Sequence, residues 1–355
     1  MKESTRFGSR IALTLLGGLA GGFALSRFLN YHPRPVESVQ CLNQTGAPDL
    51  PCDRPVKLIT YNTQFLAGTK YDFFYDGGRD IFVAPEDVVD TTKAISQFLA
   101  DQNPDFIFLQ EVDCGARRTG YLDEVELLVH SLPSEFRNHA EAFYWKSRFV
   151  PHPKIMGSVG TKLAIFSKYR LVGAWRYQLP CTPSNPVVSD FNFKRAILQV
   201  EVRLANGKSF YLLNTHLEAF PGRTNIMTRQ VDTVVERLQI LDWQQAPWIL
   251  GGDFNLLPPG QWALLNSVER GCHREPSEIS AIYERYRGVP AMEDASGENM
   301  RSFMTFTKGF EAAGYRFGPW IIFLSALRLR FPVTRFSRKK HCVFQIICRW
   351  WPRSN

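Results

Sequence analysis

The stretch Trp248–Asn255, with the sequence WILGGDFN, ends an apolar run on two glycines, an aspartate and an asparagine. Such a run predicts a buried strand that delivers polar side chains at its carboxyl end, where catalytic groups often lie. Gly, Asp and Asn are also ordinary turn residues, so the stretch alone is equally compatible with a simple strand-to-turn transition. Its interpretation depends on what the other predicted strands carry at their ends.

Three further apolar stretches end in polar groups: LITYNTQFL at Asn62, DFIFLQEV at Glu111, and FYLLNTHLE at Asn214 and His216. Taken singly, these residues have structural explanations as a turn cap, a solvated strand end and a hydrogen-bonded core histidine. Four such endings in one chain predict a shared pocket at one edge of the sheets. Helical patterns separate the strands, at Pro85–Ala100 and along the apolar stripe from Met227 to Leu241. Alternating strands and helices indicate an α/β layered domain.

The side chains collected in this way suit the attack of water on a phosphate ester. Magnesium prefers oxygen ligands, often one or two carboxylates with water and substrate phosphate, so Glu111 and Asn62 are candidate metal ligands. Asp253 can orient or deprotonate the attacking water. Asn255 and His216 are expected to form hydrogen bonds to the phosphate oxygens. The candidate catalytic residues are His216, Asp253 and Asn255, and the candidate substrate contacts are Asn214, His216 and Asn255.

The motifs LITYNTQFL, FLQEV, GTKLAIFSK, LLNTHLE and WILGGDFN, in this order and spacing, resemble the endonuclease/exonuclease/phosphatase superfamily, the deoxyribonuclease I-like fold. The resemblance extends from about Val56 to Pro258. It implies a four-layered α/β/β/α sandwich, in which two packed mixed β-sheets are flanked by helices, and phosphoester hydrolysis that depends on Mg²⁺ or Mn²⁺. It also implies metal-site roles for Asn62 and Glu111, phosphate contact by His216, and catalysis by Asp253 with its neighbour Asn255. Members act on nucleic acids, inositol phosphates and sphingomyelin, so the fold does not select a substrate.

The C-terminus departs from this resemblance. The superfamily closes with a strand resembling DYIF and then with SDHLPV, whose histidine and aspartate complete the acid/base apparatus, and neither motif is present. Residues 312–355 contain nine Lys and Arg and no Asp or Glu. The rest of the chain has 33 basic and 34 acidic residues, so the net charge of +8 belongs to the tail. A near-neutral body argues against a duplex-DNA enzyme, which needs a basic face.

Both missing motifs return when the tail is read in a shifted frame, taking the third base of each codon with the first two bases of the next. Trp320 before Ile321 then forces Asp, and the following residues permit Tyr-Ile-Phe. From Cys342 the same frame permits Arg-Ile-Ser-Asp-His-Leu-Pro-Val. We therefore predict an incomplete domain at 56–315, an out-of-frame basic tail at 316–355, and weak or absent activity. The loss of two core strands is expected to leave open sheet edges. A basic tail that evolved in place is the alternative.

Residues 1–30 predict a membrane anchor or a signal segment. Three basic residues precede an apolar run from Ile11 to Ser26, a length that is marginal for a bilayer span and also suits the core of a signal peptide. A buried soluble helix is the alternative. With either an anchor or a signal segment, the protein is membrane-anchored facing outside the cytoplasm, or secreted. Residues 31–55 are rich in Pro, Asn, Gly and Asp and predict a linker, in which Cys41 and Cys52 are free to pair in an oxidising compartment.

The position outside the cytoplasm favours a phosphodiester in a lipid headgroup or in extracellular nucleic acid as the substrate. Aromatic residues in YDFFYDGGRD and YWKSRFVPHP either line an apolar headgroup pocket or belong to the core. A second hypothesis is a catalytically dead, membrane-tethered binding module of the same fold. Metal-dependent turnover distinguishes the two hypotheses, and the sequence indicates no protein partner.

Overall fold

The computed structural model describes residues 17–18, 20–219, 224–264, 270–271, 273–296, 320–324, 329–330, 333–338 and 341–350. Within these ranges the chain forms two seven-stranded β-sheets with helices on their outer faces. The strands are β1 (Val36–Ser38), β2 (Val56–Asn62), β3 (Phe106–Asp113), β4 (Asn138–Val150), β5 (Gly157–Ser167), β6 (Leu171–Gln178), β7 (Ala196–Arg203), β8 (Ser209–His216), β9 (Trp248–Asp253), β10 (Arg287–Val289), β11 (Trp320–Leu324), β12 (Leu329–Arg330), β13 (Val333–Arg338) and β14 (His341–Trp350).

The first sheet has the strand order β1-β6-β7-β8-β9-β11-β10, and the second has the order β12-β14-β2-β3-β5-β4 with β13 paired to β14. The pairs β2–β3 and β8–β9 are parallel, and the other pairs are antiparallel, so both sheets are mixed. Within the described residues the domain also contains the α-helices α1 (Pro85–Gln102), α2 (Glu124–Ser131), α3 (Pro186–Phe191), α4 (Ile226–Trp243), α5 (Ser280–Tyr283) and α6 (Met292–Ser296).

Three apolar layers hold the predicted sandwich together, one between the two sheets and one between each sheet and its helices. Each sheet contributes to two of them because successive strand residues point to opposite faces. Phe106 and Leu212 lie in the layer between the two sheets. Leu213 and Leu250 face outward and pack with the buried stripe of α4. On the other side, Ile107 packs with the buried residues of α1. The four-layered α/β/β/α arrangement and both predicted helices are therefore confirmed.

The N-terminal part of the chain is helical over residues 20–29. None of the helices that the structure describes has both the length and the apolar character needed to cross a membrane. Residues 11–16, where the predicted apolar run begins, lie outside the described ranges. Membrane anchoring therefore stays a prediction.

The segment 31–55, predicted to be a linker, is instead packed along the domain. Strand β1 pairs with β6, and Leu42 and Leu50 form bridges to His139 and Leu204. Leu50 is fully buried in the layer between the sheets. Turn-forming residues in this segment therefore reflect an irregular path over the surface and not a flexible tether. Cys41 and Cys52 are free thiols that pack against the same layer.

The expected open edges at the C-terminal side are not observed. Strand β11 pairs antiparallel with β9, and β14 pairs antiparallel with β2. The backbone of residues 320–324 and 341–350 thus occupies the positions next to the two strands that carry Asp253 and Asn62. Main-chain hydrogen bonds can supply such pairing, because each non-proline residue of the tail carries a backbone donor and acceptor. The pairing therefore does not require the side chains of the two missing motifs.

Gly252 allows β8 and β9 to approach closely beneath the site. Its φ is 146°, and a Cβ atom there would lie 2.0 Å from the carbonyl oxygen of Thr215. We expect Gly252→Ala to lower the free energy of unfolding by about 3 kcal/mol or more, because backbone strain alone costs about 1–3 kcal/mol and main-chain overlap adds to it. Urea titration measures the change.

Gly46→Ala is the matched control, since Gly46 has a φ of 77° but no neighbouring atom within 4 Å of the added Cβ. This substitution isolates the strain from the overlap and is expected to cost about 1–2 kcal/mol. Equal losses in the two variants would show that the close approach of the strands is not tight.

Candidate active site

The carboxyl ends of two parallel strand pairs meet at one edge of the sandwich. Asn62, the last residue of β2, lies beside Gln110 in the second half of β3, and His216 lies beside Asp253 at the ends of β8 and β9. The Nδ2 of Asn62 donates to Glu111 Oε1 at 2.9 Å and to Asp253 Oδ2 at 3.0 Å. One amide group therefore joins carboxylates from the two sheets.

His216 completes this cluster from the first sheet. Its Nδ1 lies 3.9 Å from Glu111 Oε1, and its Nε2 lies 3.7 Å from Asp253 Oδ2. The hydroxyl of Tyr144 lies 3.3 Å from Nδ1, and the two rings meet edge to face. The structure therefore brings together Asn62, Glu111, His216 and Asp253 as the strand ends predict.

A β-bulge directs Glu111 into the cluster. The register between β3 and β5 shifts between Leu109 and Val112, and Glu111 has a φ of 56°. In a regular strand Gln110 and Glu111 would point to opposite faces, and an extra residue re-aims a side chain. Non-glycine residues at positive φ are strained and concentrate at functional sites. The backbone of Phe65 donates to the Glu111 carbonyl and ties the bulge to the chain after β2.

Asp253 and Asn255 form the turn that ends β9. The backbone amide of Asn255 donates to Asp253 Oδ1 at 3.1 Å, and Asn255 adopts a φ of 50° that asparagine tolerates better than most residues. The side-chain amide of Asn255 donates to the carbonyl of Leu217 at 3.1 Å. This turn fixes the Asp253 carboxylate, and its Oδ2 faces Asn62.

Asn214 lies deeper, between the sheets. It is fully buried, and its Nδ2 donates to the carbonyls of Leu109 and Ala164 at 2.8 and 3.0 Å. Its Oδ1 accepts from Gln110 at 2.7 Å. These contacts occupy both the oxygen and the nitrogen of the Asn214 amide and join the two sheets below the cluster. The geometry therefore does not support the predicted contact between Asn214 and the substrate, which stays a prediction.

Arg195 lies at the wall of the site, although it is not among the candidate residues that the sequence predicts. Its side chain is buried, with the guanidinium 5.1 Å from the Tyr144 ring centroid and 4.3 Å from that of Phe193. Among the described residues its Nε and one terminal nitrogen have no hydrogen-bond partner, and the other lies 3.8 Å from Glu218. One sequence pattern could have identified Arg195: the pair Lys194-Arg195 stands immediately before a buried strand, in a domain that is otherwise almost neutral.

Burial shifts the titration of all three acidic and basic groups in the cluster. Burial raises the pKa of Glu111, and the nearby charge of Asp253 raises it further. Burial also raises the pKa of Asp253. The pKa of His216 is lowered well below its ordinary value by burial and by the charge of Arg195, so the imidazole is neutral at neutral pH. Such opposed shifts in one cluster are typical of functional sites.

The donor set fits a hard divalent cation held by few protein ligands. Glu111 and Asp253 place two half-buried carboxylates around the Asn62 amide, and Mg²⁺ typically takes one or two carboxylates and keeps water. The described part of the chain contains no group of three or more His, Cys, Asp or Glu arranged to hold a metal ion. Asn62 presents its Nδ2 to the carboxylates, while its Oδ1 accepts from the Gln64 backbone. Ligation by Asn62 Oδ1 requires rotation of this amide.

Three solved structures are similar in fold to this chain. An endonuclease/exonuclease/phosphatase from Beutenbergia cavernae has a TM-score of 0.57 and 15% identity, covering 84% of this chain and 72% of its own. The human Nocturnin catalytic domain has a TM-score of 0.52 and 16% identity, with 85% and 96% covered. A functionally unknown conserved protein from Enterococcus faecalis has a TM-score of 0.51 and 15% identity, with 83% and 98% covered.

The sequence comparison is more specific than the fold. No curated protein matches the sequence. The model of the Endonuclease/Exonuclease/phosphatase family matches residues 59–320, which include every residue of the cluster described above. The chain therefore belongs to the Endonuclease/Exonuclease/phosphatase family.

Proposed function

We propose that this protein is a phosphoester hydrolase that uses Mg²⁺ or Mn²⁺ and acts on a phosphodiester outside the cytoplasm. The observation that carries the proposal is the single Asn62 amide that holds Glu111 and Asp253 from opposite sheets, beside the neutral His216. The side chains of Glu111 and Asp253 are only 23% and 15% exposed, and a cation or a proton between two such neighbouring carboxylates offsets their repulsion. The family supports phosphoester hydrolysis as the general chemistry.

Glu111 and Asn62 would hold the cation, which would supply charge neutralisation at the phosphate oxygens. Asp253 orients the attacking water and accepts its proton, which its raised pKa favours. Neutral His216 donates a hydrogen bond from one ring nitrogen to a phosphate oxygen. Asn255 reaches the same oxygens only after its side-chain amide leaves the Leu217 carbonyl.

A panel of phosphodiesters tests the proposal on a chain whose reading frame is corrected near Arg316, using sphingomyelin-type headgroups in vesicles, single-stranded nucleic acid and a generic chromogenic diester. The panel is assayed with Mg²⁺, with Mn²⁺ and with a chelator. We expect metal-dependent hydrolysis with preference for the lipid headgroup, because the proposed membrane attachment places the substrate at high local concentration. Binding without turnover of any member, by a chain with its predicted C-terminal motifs restored, would instead support the non-catalytic binding module.

Metal binding is expected to depend on pH through Glu111 and Asp253. Because both pKa values are raised in the folded state, ionisation destabilises the metal-free protein as pH rises through them. The same rise removes protons that compete with Mg²⁺. The Mg²⁺-induced increase in melting temperature should therefore be larger at pH 8 than at pH 5.5. At a Mg²⁺ concentration about 100 times its Kd the stabilisation is about 2.7 kcal/mol.

Glu111→Gln is the control for this measurement, because it keeps an acceptor for Asn62 and removes one charge. The Mg²⁺ effect should fall to a small remainder. A full effect in this variant, or an effect in the unaltered chain that is constant from pH 5.5 to 8, would place the cation elsewhere.

Arg195 is the proposed contact for the non-reacting phosphate oxygens. Its two unpartnered nitrogens lie in a buried wall next to Tyr144 and His216, where a guanidinium can bind phosphate in a bidentate manner. Arg195→Met should lower kcat/KM about a hundredfold, in the range measured when one preorganised donor is removed. Arg195→Lys keeps the charge and should recover part of the rate.

The titration of His216 gives a second measurement for the Arg195 proposal. Because the charge of Arg195 lowers the pKa of His216, Arg195→Met should raise that pKa, and Arg195→Lys should change it less. NMR of the ring protons measures both. A lower rate with an unchanged His216 pKa would show that the guanidinium does not face the site.

A further inference from the structure

Among the described residues, the helix at residues 20–29 makes its hydrogen bonds and ion pairs with the domain through its last turn. Ser26 Oγ donates to Asp190 Oδ2 at 2.9 Å, and Arg27 pairs with Asp190 Oδ1 at 3.0 Å. Ser26 and Asn30 are buried, while the preceding turns are exposed. Phe23 is 45% exposed and Phe28 is 67% exposed. The helix therefore leaves the surface with its aromatic side chains in solvent.

The exposed apolar surface continues from this helix onto the domain. Asn30 forms a bridge with Ser147 in β4, and the Arg148 guanidinium lies 4.7 Å from the Phe28 ring. Phe149 follows as another exposed aromatic residue. On the other side of the Asp190 contact, α3 exposes two valines. We call this surface the apolar face: Phe23, Leu25, Phe28, Phe149, Val187 and Val188.

The exposed charge around the apolar face is positive. Residues 20–30, 145–150 and 183–190 carry Arg27, Lys146 and Arg148 and one acidic residue, the buried Asp190, which pairs with Arg27, so Lys146 and Arg148 supply the exposed positive charge. Exposed aromatic and aliphatic side chains ringed by Lys and Arg match the interface of an anionic bilayer, where the stems of these cations also bury. The sequence that precedes the face, Ile11–Leu16 after three basic residues, continues the same pattern.

We propose that the apolar face lies in the headgroup region of an anionic membrane, so that the catalytic domain itself contacts the bilayer. The inference extends the proposed N-terminal attachment, which it requires, but it does not depend on catalysis. Its consequence concerns substrate access. Helix α3 leads directly to Phe193 and Arg195, and Phe193 packs 4.5 Å from Trp145 in β4. The segment that carries the wall of the active site is thus held at the membrane surface.

Site-specific photocross-linking tests the proposal on the full chain. The photoreactive residue p-benzoylphenylalanine replaces Phe28, Phe149 or, as a control, Trp243, which is 85% exposed on α4 away from the face. Each protein is irradiated with phosphatidylcholine–phosphatidylglycerol vesicles, and lipid adducts are measured by mass spectrometry. Adducts from positions 28 and 149 should exceed those from position 243 about tenfold, because an interfacial surface penetrates only about 5–10 Å.

A pair of substitutions gives an independent measurement. Phe149→Asp should weaken sedimentation with the same vesicles about tenfold, since it removes one buried aromatic side chain and adds a negative charge. Trp243→Asp should leave it unchanged. Absence of vesicle binding by the unaltered chain would overturn both the attachment and the face. Vesicle binding with adducts equal at all three positions, or with chain-to-chain adducts in place of lipid adducts, would overturn the face alone.

Discussion

A chain in which the reading frame is corrected near Arg316 is expected to hydrolyse a phosphodiester with Mg²⁺ about two to four orders of magnitude faster than the sequence printed here. On the frameshift hypothesis the corrected frame would encode the missing Asp-His motif, and a positioned acid/base group contributes about 10²–10⁴ in rate. In the present chain, the described cluster contains one acid/base pair, Asp253 and His216, and no second pair. Turnover of a chromogenic diester by the two chains under identical conditions measures the difference.

The structure separates a chemical cause for this difference from a folding cause. Strands β11 and β14 cover β9 and β2, so the edges next to Asp253 and Asn62 are paired in the present chain. We therefore expect the two chains to differ far more in rate than in the placement of the cluster. The matched control is the corrected chain in which the restored histidine is replaced by glutamine, which should return to the low rate. Equal rates in all three chains, or an underlying DNA sequence without the shifted motifs, would contradict the frameshift hypothesis.

The layered fold could be predicted because apolar strand residues and helical stripes follow simple periods. The alternation of Phe106 and Ile107, or of Leu212 and Leu213, assigns one residue to the layer between the sheets and the next to a helix. Strand β4 could not be predicted in the same way. Its sequence NHAEAFYWKSRFV mixes charges with apolar residues, and its extended form depends on antiparallel pairing with β5, a pairing interrupted by two register shifts.

The composition of the active site was predictable, but its geometry was not. Strand ends identify Asn62, Glu111, His216 and Asp253 because parallel pairs bring their carboxyl ends to one edge. No sequence pattern shows the bulge that turns Glu111 toward Asp253, since a positive φ at a glutamate results from the surrounding structure. The wall residue Arg195 was missed for a related reason, since a cation before a strand normally faces solvent.

Asp253→Asn in the frame-corrected chain is expected to lower kcat about 10²–10⁴-fold, because the amide cannot accept a proton from the attacking water. The single amide oxygen can replace only one of the two carboxylate oxygens, so it can accept from the backbone of Asn255 while the hydrogen bond from Asn62 to Oδ2 is lost. Saturating Mg²⁺ should not restore the rate. In contrast, Glu111→Gln should raise the Mg²⁺ requirement, and high Mg²⁺ should recover part of its rate. A rate for Asp253→Asn within tenfold of the parent would assign the proton transfer to another group.

The same substitution should make the metal-free protein more stable at neutral pH, and this opposite change distinguishes a catalytic aspartate from a structural one. The pKa of Asp253 is raised from its ordinary value of 3.8, so its ionised form destabilises the folded state above that pKa. Its charge also raises the pKa of Glu111. Removing the Asp253 charge stabilises the fold at pH 7, and the gain disappears at acidic pH, where the parent and the variant are both neutral at this position.

Asp113 is the matched control, a fully buried aspartate in β3 whose carboxylate accepts two hydrogen bonds from Arg118 at 2.7 and 2.9 Å. Asp113→Asn leaves that guanidinium without its charge partner and should cost about 3–5 kcal/mol. Chemical denaturation with a chelator present measures both variants. Stabilisation in one and destabilisation in the other is the result expected if the Asp253 carboxylate is held in place for a cation and a water molecule and not for the fold.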